Sequence, residues 1–341
     1  MKKVNWGIIG LGNIANVFAE AFKYSTHGKL IGISSTKSEK IHKFRDQFEL
    51  DKNFCFHSYE ELLNCKDIDI VYIALPNSLH HEWILKCINY KKKILVEKPA
   101  TLNFSEIKNI KDNYFNDKIF FAEGFMYRFH PQTLKVIELL KENKIGKLIS
   151  METNFGKDIL TSKNFLGLKK RKKINKQSRL YNKDLGGGAI LDLGCYTISF
   201  STLVASFVPK FDYNNIQVLN KKKEIVATGV DIDSYAELSF ENGFKSKIGA
   251  SFIKDLGKKT EIIGSDGKIV IEDTWHAKPA LICLEGKNNK KIEINSNENI
   301  FSYEIDFLSQ CILENRVQPT FPGLTLDDTV GNMKILDNWL N

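Results

Sequence analysis

Along the first hundred residues, short apolar runs alternate with segments of helical spacing. Val4–Ile9 is an apolar run that closes on Gly10, the pattern of a strand buried on both faces. In 14–24, Ile14, Val17, Phe18, Ala21 and Phe22 recur on one helical face. Residues 30–34 read as a second strand and 39–48 as a helix; 68–74 and 93–96 are further strands, with a helix at 81–89 between them. Strands alternating with helices predict a doubly wound parallel sheet. After about residue 123 the pattern changes. Pro131 can open a helix lined by Leu134, Ile137 and Leu140, and 236–240, 245–252, 260–263 and 268–271 read as strands. The turns Glu241-Asn242-Gly243 and Ser265-Asp266-Gly267-Lys268 join them as hairpins. Residues 301–313 and 326–340 are amphipathic helices. The pattern therefore predicts an α/β domain over 1–124 and an α+β domain with a large, mostly antiparallel open sheet over 125–341.

Composition changes this picture little. With 43% hydrophobic and 26% charged residues in 341, the chain reads as globular rather than disordered. Its six cysteines form no C-x-x-C pair, so a reducing, cytoplasmic setting is expected. No apolar run reads as a membrane span, and the lysines before Val4 introduce a first strand rather than a leader, because Asn5, Gly10 and Gly12 interrupt the apolar residues. The net charge of +8 suits phosphate-bearing ligands and does not by itself call for nucleic acid. The run Lys169-Lys170-Arg171-Lys172-Lys173 is expected to be a solvated, mobile loop, with attraction of a phosphorylated or nucleotide-linked sugar as the alternative. His80-His81 lacks the carboxylate–histidine spacing of a metal site, and no metal is expected.

Gly10-Leu11-Gly12-Asn13-Ile14-Ala15 supplies the first chemistry. Gly10 permits a tight turn, Gly12 lets backbone approach a pyrophosphate, and small Ala15 lets the following helix pack on the strand. The motif sits between a buried strand and an amphipathic helix, the context a Rossmann dinucleotide site requires. The second strand runs into Ser34-Ser35-Thr36-Lys37-Ser38, with no acid before Glu39 to accept hydrogen bonds from a ribose 2′-hydroxyl. Ser35, Thr36 and Lys37 suit a 2′-phosphate, so NADP(H) is expected in preference to NAD(H).

Two further segments carry candidate reacting groups. Glu97-Lys98-Pro99 follows a strand at its carboxyl end, where ligands bind in such sheets. Gly186-Gly187-Gly188 precedes Asp192 and Tyr196, which stand four apart and would share a helix face; the glycines would admit something bulky and flat. With Gly10-x-Gly12-x-x-Ala15, Ala74-Leu75-Pro76-Asn77-Ser78-Leu79-His80 and the 123–131 stretch Glu-Gly-Phe-Met-Tyr-Arg-Phe-His-Pro, these segments make the whole chain resemble the glucose–fructose oxidoreductase/inositol dehydrogenase/MocA family. Within it they are most similar to the branch of dihydrodiol dehydrogenases, NADP-dependent aldose dehydrogenases and glucose–fructose oxidoreductase. The resemblance implies that Lys98 lies beside the nicotinamide and the substrate oxygen, and that Asp192 faces the substrate. It implies that Leu75, Pro76, Asn77, His80 and Glu97 belong to the cofactor site, and that the loop with Arg179 and Tyr181 approaches the substrate. Many relatives carry histidine where this chain has Tyr196, which sets it apart from inositol dehydrogenases.

The resemblance thus implies hydride transfer between nicotinamide and a sugar, sugar derivative or cyclic diol, with Tyr196 exchanging the proton, Lys98 stabilising alkoxide and Asp192 holding a neighbouring hydroxyl. It also implies a homodimer or homotetramer paired through the strand-rich half, because an open sheet covered by helices on one face leaves the other needing cover. Two other readings stand beside it: a reductase of nucleotide-linked keto sugars, and a non-catalytic NADP-binding regulator. The intact Lys98, Asp192 and Tyr196 argue against the regulator.

Overall fold

A computed structural model describes residues 2–115, 119–163, 169–287, 289–296 and 299–341. The chain forms two units: Met1–His130 with Asn297–Val330, and Pro131–Ser296 with Gly331–Asn341. The boundary expected at 124/125 thus falls at 130/131, and the chain returns to the first unit near its end. The sequence pattern marks an amphipathic helix there but not which sheet it covers. Trp6 answers that: its indole Nε1 donates to Ser309 Oγ at 3.0 Å, fixing a C-terminal helix under the first strand.

In the first unit, β1 (Val4–Ile9), β2 (Gly28–Ser34), β3 (Cys55–Phe56), β4 (Ile70–Ile73), β5 (Lys93–Glu97) and β6 (Phe121–Gly124) form one sheet. Its order is β3-β2-β1-β4-β5-β6, and every pair is parallel. Connecting helices are α1 (Asn13–Ala21), α2 (Ser38–Phe48), α3 (Tyr59–Asn64), α4 (His80–Asn89) and α5 (Phe104–Asn109). β1 extends the sheet one way through β2 and the other way through β4, so the strand order reverses there and the C-terminal ends of β1 and β4 open a crevice. Trp6, Phe18 and Tyr72 fill the core beneath, Phe18 and Tyr72 stacked with centroids 3.9 Å apart. α1 buries Phe18 and Ala21 of the face read from sequence together with Ala15 and Ala19, while Ile14 and Val17 of that face are exposed.

The second unit contains α6 (Pro131–Lys141), β7 (Leu148–Gly156), the hairpin β8 (Thr161–Lys163) and β9 (Lys169–Arg171), and α7 (Cys195–Ala205). β10 (Gln217–Ile225), β11 (Asp231–Ser239), β12 (Lys245–Ser251), β13 (Thr260–Gly264), β14 (Gly267–Ile271), β15 (Leu281–Gly286) and β16 (Lys290–Glu293) follow. Helices α8 (Phe301–Leu313) and α9 (Leu326–Leu340) close the chain, α8 belonging to the first unit. An eight-stranded sheet runs β10-β11-β12-β7-β13-β14-β15-β16, antiparallel except for β12 beside β7, and both expected hairpins form. All of α7 is buried, as suits a helix apolar all round. The helical stretch Lys183–Ala205 is long and apolar enough to span a membrane, contrary to the sequence reading, but 89% of its apolar window is buried inside the protein and it serves as core.

Three expectations change here. Leu134 is exposed, and α6 packs through Val136, Ile137, Leu139 and Leu140 instead. The basic run is partly ordered: Lys169–Arg171 pairs with Thr161–Lys163, while Arg171 meets Glu224 at 3.4 Å. The large sheet also exposes a mixture of charge and apolar side chains, Ile149 and Ile263 among the latter. Cross-strand ion pairs cross it, Lys245–Glu237 at 3.7 Å and Lys268 with Glu261 and Glu285 at 3.5 and 3.2 Å, so water can solvate it.

Candidate active site

The first constellation lies at the C-terminal ends of β1, β2 and β4. Gly10 has φ +88°, and a Cβ there would stand 2.7 Å from the Ala74 carbonyl oxygen and the Leu75 side chain. Only glycine lets β1 turn this tightly against the β4 loop. Gly12 is the opposite case: a Cβ there would meet nothing within 4 Å, and no side chain caps the α1 N-terminus it precedes. Open backbone, an uncapped helix start and buried Ala15 are what a pyrophosphate requires, so these residues fit a dinucleotide. Asn13 and Ile14 are exposed at that helix start.

The loop after β2 separates its polar groups. Ser35 is buried and its Oγ accepts the Lys37 N–H at 3.2 Å, so it shapes the loop. Thr36 and Lys37 are exposed, and Ser38 Oγ lies 3.3 Å from His57 Nδ1. His57, just past β3, was invisible as a site residue from sequence because only the β2–β3 pairing brings it to this loop. Among the described residues from Ser34 to Ser38 there is no carboxylate.

The second constellation surrounds Lys98. The Lys98–Pro99 peptide bond is cis. Lys98 itself is half-buried. Pro76 is exposed at the tip of the β4 loop, and Asn77 is buried behind it. His80 corrects the sequence reading: it is fully buried, with Nδ1 2.9 Å from the Pro99 carbonyl oxygen and Nε2 2.9 Å from that of Leu75. Both ring nitrogens face backbone carbonyl oxygens, and the single N–H of the neutral ring can donate to one of them, so His80 sits between the β4 and β5 loops rather than reaching a ribose. Burial, reinforced by the nearby Lys98 ammonium, holds its imidazole below the usual range. Glu97 is nearly buried and accepts the Tyr72 hydroxyl on Oε1, supporting the strand end from beneath.

Sequence reasoning also missed Glu123, at the end of β6. Its Oε1 accepts the Ala100 N–H at 2.9 Å, and burial, with Glu97 adding like charge, pushes its carboxyl up to about 7; the Thr329 hydroxyl and Arg128 guanidinium pull the other way. Glu304, on α8, is also buried; desolvation and the Glu97 charge raise it well above the usual carboxyl range. Nothing in a linear pattern distinguishes these acids from surface glutamates.

The third constellation lies in the second unit. Gly186, Gly187 and Gly188 serve the protein's own packing rather than a flat ligand. A Cβ on Gly187 would stand 2.6 Å from the Arg179 carbonyl oxygen, and one on Gly188 2.4 Å from Asp231 Oδ1. Asp231 is buried, and its Oδ2 accepts the Ile190 N–H at 2.9 Å and the Ser234 hydroxyl at 2.8 Å. It thereby caps the π-helical turn Ile190–Gly194 that carries Asp192 into α7. Asp192 receives Arg179 Nη1 at 3.2 Å, so the structure brings these two predicted residues together. Tyr196 stands in an aromatic frame, edge-on to Phe155 at 5.4 Å and Trp275 at 5.7 Å. Tyr181 is buried against Phe252, its phenol raised by burial, and reads as a support of the loop. No cluster of three or more potential metal ligands occurs among the described residues.

Comparison with known proteins identifies the family and the fold. Residues 4–118 match a family profile described as an oxidoreductase family with NAD-binding Rossmann fold, and residues 133–270 match the GFO/IDH/MocA C-terminal domain. A trans-1,2-dihydrobenzene-1,2-diol dehydrogenase of Xenopus tropicalis is 28% identical over 98% of this chain and 96% of its own. The D-xylose 1-dehydrogenase (NADP(+)) 2 of Haloferax volcanii is 26% identical over 80% of this chain and 77% of its own. Aldose–aldose oxidoreductase from Caulobacter crescentus shares the fold, with a TM-score of 0.84 at 19% identity, covering 99% of this chain and 96% of that one.

Proposed function

The chain belongs to the GFO/IDH/MocA oxidoreductase family, and from that premise we propose that it transfers hydride between NADP(H) and a sugar, sugar derivative or cyclic diol. The observation that carries the reading is a dinucleotide cradle with no competing acid at the β2 loop, in a chain that also keeps Lys98, Asp192 and Tyr196. The diol dehydrogenase and the xylose dehydrogenase support the substrate class.

When bound, a nicotinamide would supply the hydride chemistry. Gly12 and the α1 N-terminus would hold the pyrophosphate, and Thr36 and Lys37, with His57 beside Ser38, would favour a 2′-phosphate. Lys98 donates a hydrogen bond to the substrate oxygen and stabilises alkoxide character there. Tyr196 passes the proton, as acid in reduction and base in oxidation; a free phenol of pKa about 10 needs a nearby positive charge to do this near neutrality. Asp192, already bonded to Arg179, accepts from a neighbouring substrate hydroxyl. A panel of aldoses, polyols, keto sugars and cyclic diols with each nicotinamide cofactor tests the reading. NADP-linked turnover supports it, and cofactor binding without turnover on any member contradicts it.

A further inference from the structure

We propose that Glu123 is a positioning residue for Lys98, and that its ionisation sets how firmly the turn carrying Lys98 is held; this rests on reading Lys98 as the group that meets the substrate oxygen. Beyond β5 the segment Lys98-Pro99-Ala100 has two fully buried grips. His80, from α4, faces the Pro99 carbonyl, and Glu123, from β6, takes the Ala100 N–H, each at 2.9 Å. Backbone just past β5 is thus contacted by two buried side chains, of which Glu123 is the one poised to change charge.

A carboxyl is an expensive choice for the second grip. An amide would accept the same N–H without the cost of burying charge. Glu123 Oε2 is buried and makes no hydrogen bond of normal geometry, so the Ala100 N–H is the firm donor and the Thr329 hydroxyl a weaker support for the charge. The charged and titratable groups facing it come from every side. Glu97 on β5 opposes its ionisation, and Glu97 is itself engaged by Tyr72 of β4 and repelled by Glu304 of α8. Arg128, after β6, and the Thr329 hydroxyl favour ionisation. Across the turn stand His80 and the Lys98 ammonium. The balance leaves the carboxyl titrating at about 7, within the working range of a neutral-pH enzyme. A charge-assisted hydrogen bond is roughly twice as strong as a neutral one, so protonating Glu123 slackens the hold on Ala100 and lets the Lys98 turn loosen as pH falls. Glu123 meets no substrate; it acts through two residues of backbone.

The test reads Lys98 directly. The full-length protein and its E123Q and E123A variants are acylated with limiting acetic anhydride between pH 5.5 and 9, and Lys98 modification is measured by peptide mass spectrometry relative to exposed Lys29. The wild type should show an inflection near pH 7 on top of the ordinary rise of lysine reactivity. E123Q, which keeps an acceptor oxygen but cannot ionise, should lose that inflection. E123A should raise Lys98 labelling several-fold at pH 8 and lower kcat about tenfold, with E123Q recovering most of the loss. An inflection that persists in E123Q overturns the proposal; so does an E123A variant labelled like the wild type, and E123Q decides alone if E123A does not fold. K98M is assayed in parallel: undiminished turnover there would refute the catalytic reading of Lys98, whereas the labelling profiles judge Glu123 independently of it.

Discussion

At the scale of single residues, labour is proposed to divide between groups that meet substrate and groups that hold those in place. Tyr196→Phe removes only a hydroxyl from an aromatic frame that Phe155 and Trp275 maintain. Fold and NADPH affinity should persist while kcat drops by roughly 10²–10⁴-fold; steady-state rates beside a fluorescence titration of the cofactor check this. Lys98→Met should also lower kcat, and the double variant should lose less than the product of the two, because both side chains are proposed to act on one oxygen. Glu123 makes a stability prediction of its own. Its folded value of about 7 lies above the ordinary 4.5, so its contribution is fully present below about 4.5 and is lost as pH rises through 7. Denaturant titrations should therefore show E123Q gaining on the wild type between pH 5 and 8, by at most roughly 3 kcal/mol. A constant difference across that range would place the titration elsewhere. Sequence made Lys98, Asp192 and Tyr196 legible because they sit in motifs. Glu123 and His80 acquire their roles only when β4, β5, β6 and α4 converge, and that convergence has no linear signature.

At the scale of elements, most helices and half of the strands were legible, and the misses have physical causes. β1, α8 and α9 have the bounds their periodicity predicts. β7, the central strand of the large sheet, escaped because it alternates weakly and runs into Gly156, and β10 because five of its nine residues are exposed polar side chains. The face assigned to α1 was only partly right: Phe18 and Ala21 are buried as read, but small Ala15 and Ala19 complete the contact with the sheet while Val17 is 46% exposed. Two elements yield predictions. Replacing Asp231 with alanine strips the cap from the turn bearing Asp192 and orphans the Ile190 N–H and the Ser234 hydroxyl. It should cost about 1–3 kcal/mol by thermal or chemical unfolding, and turnover should fall in the molecules that remain folded. At the end of β2, Lys37→Glu installs the missing acid beside the ribose position, so the ratio of NADPH to NADH affinity should fall by at least tenfold; an unchanged ratio would mean that this loop does not read the 2′ position.

For the molecule as a whole, the parallel sheet with its crevice at β1 and β4 presents the cofactor cradle, and the second unit presents Asp192 and Tyr196 from the start of a wholly buried helix. A dimer or tetramer through the large sheet remains the expectation, its exposed residues including both ion pairs and apolar side chains such as Ile149 and Ile263. Sedimentation at micromolar concentration should then show assembly, and a monomer would contradict it. The central claim is redox chemistry on a polyhydroxylated substrate, and the most direct measurement is absorbance at the reduced-nicotinamide band. With NADP(H) and a panel of aldoses, polyols, keto sugars and cyclic diols, the account predicts substrate-dependent absorbance change with the wild-type protein and its near-disappearance in both Lys98→Met and Tyr196→Phe. Saturable NADPH binding with no substrate-dependent change on any member of the panel would contradict it and would make the chain a nucleotide-binding regulator instead.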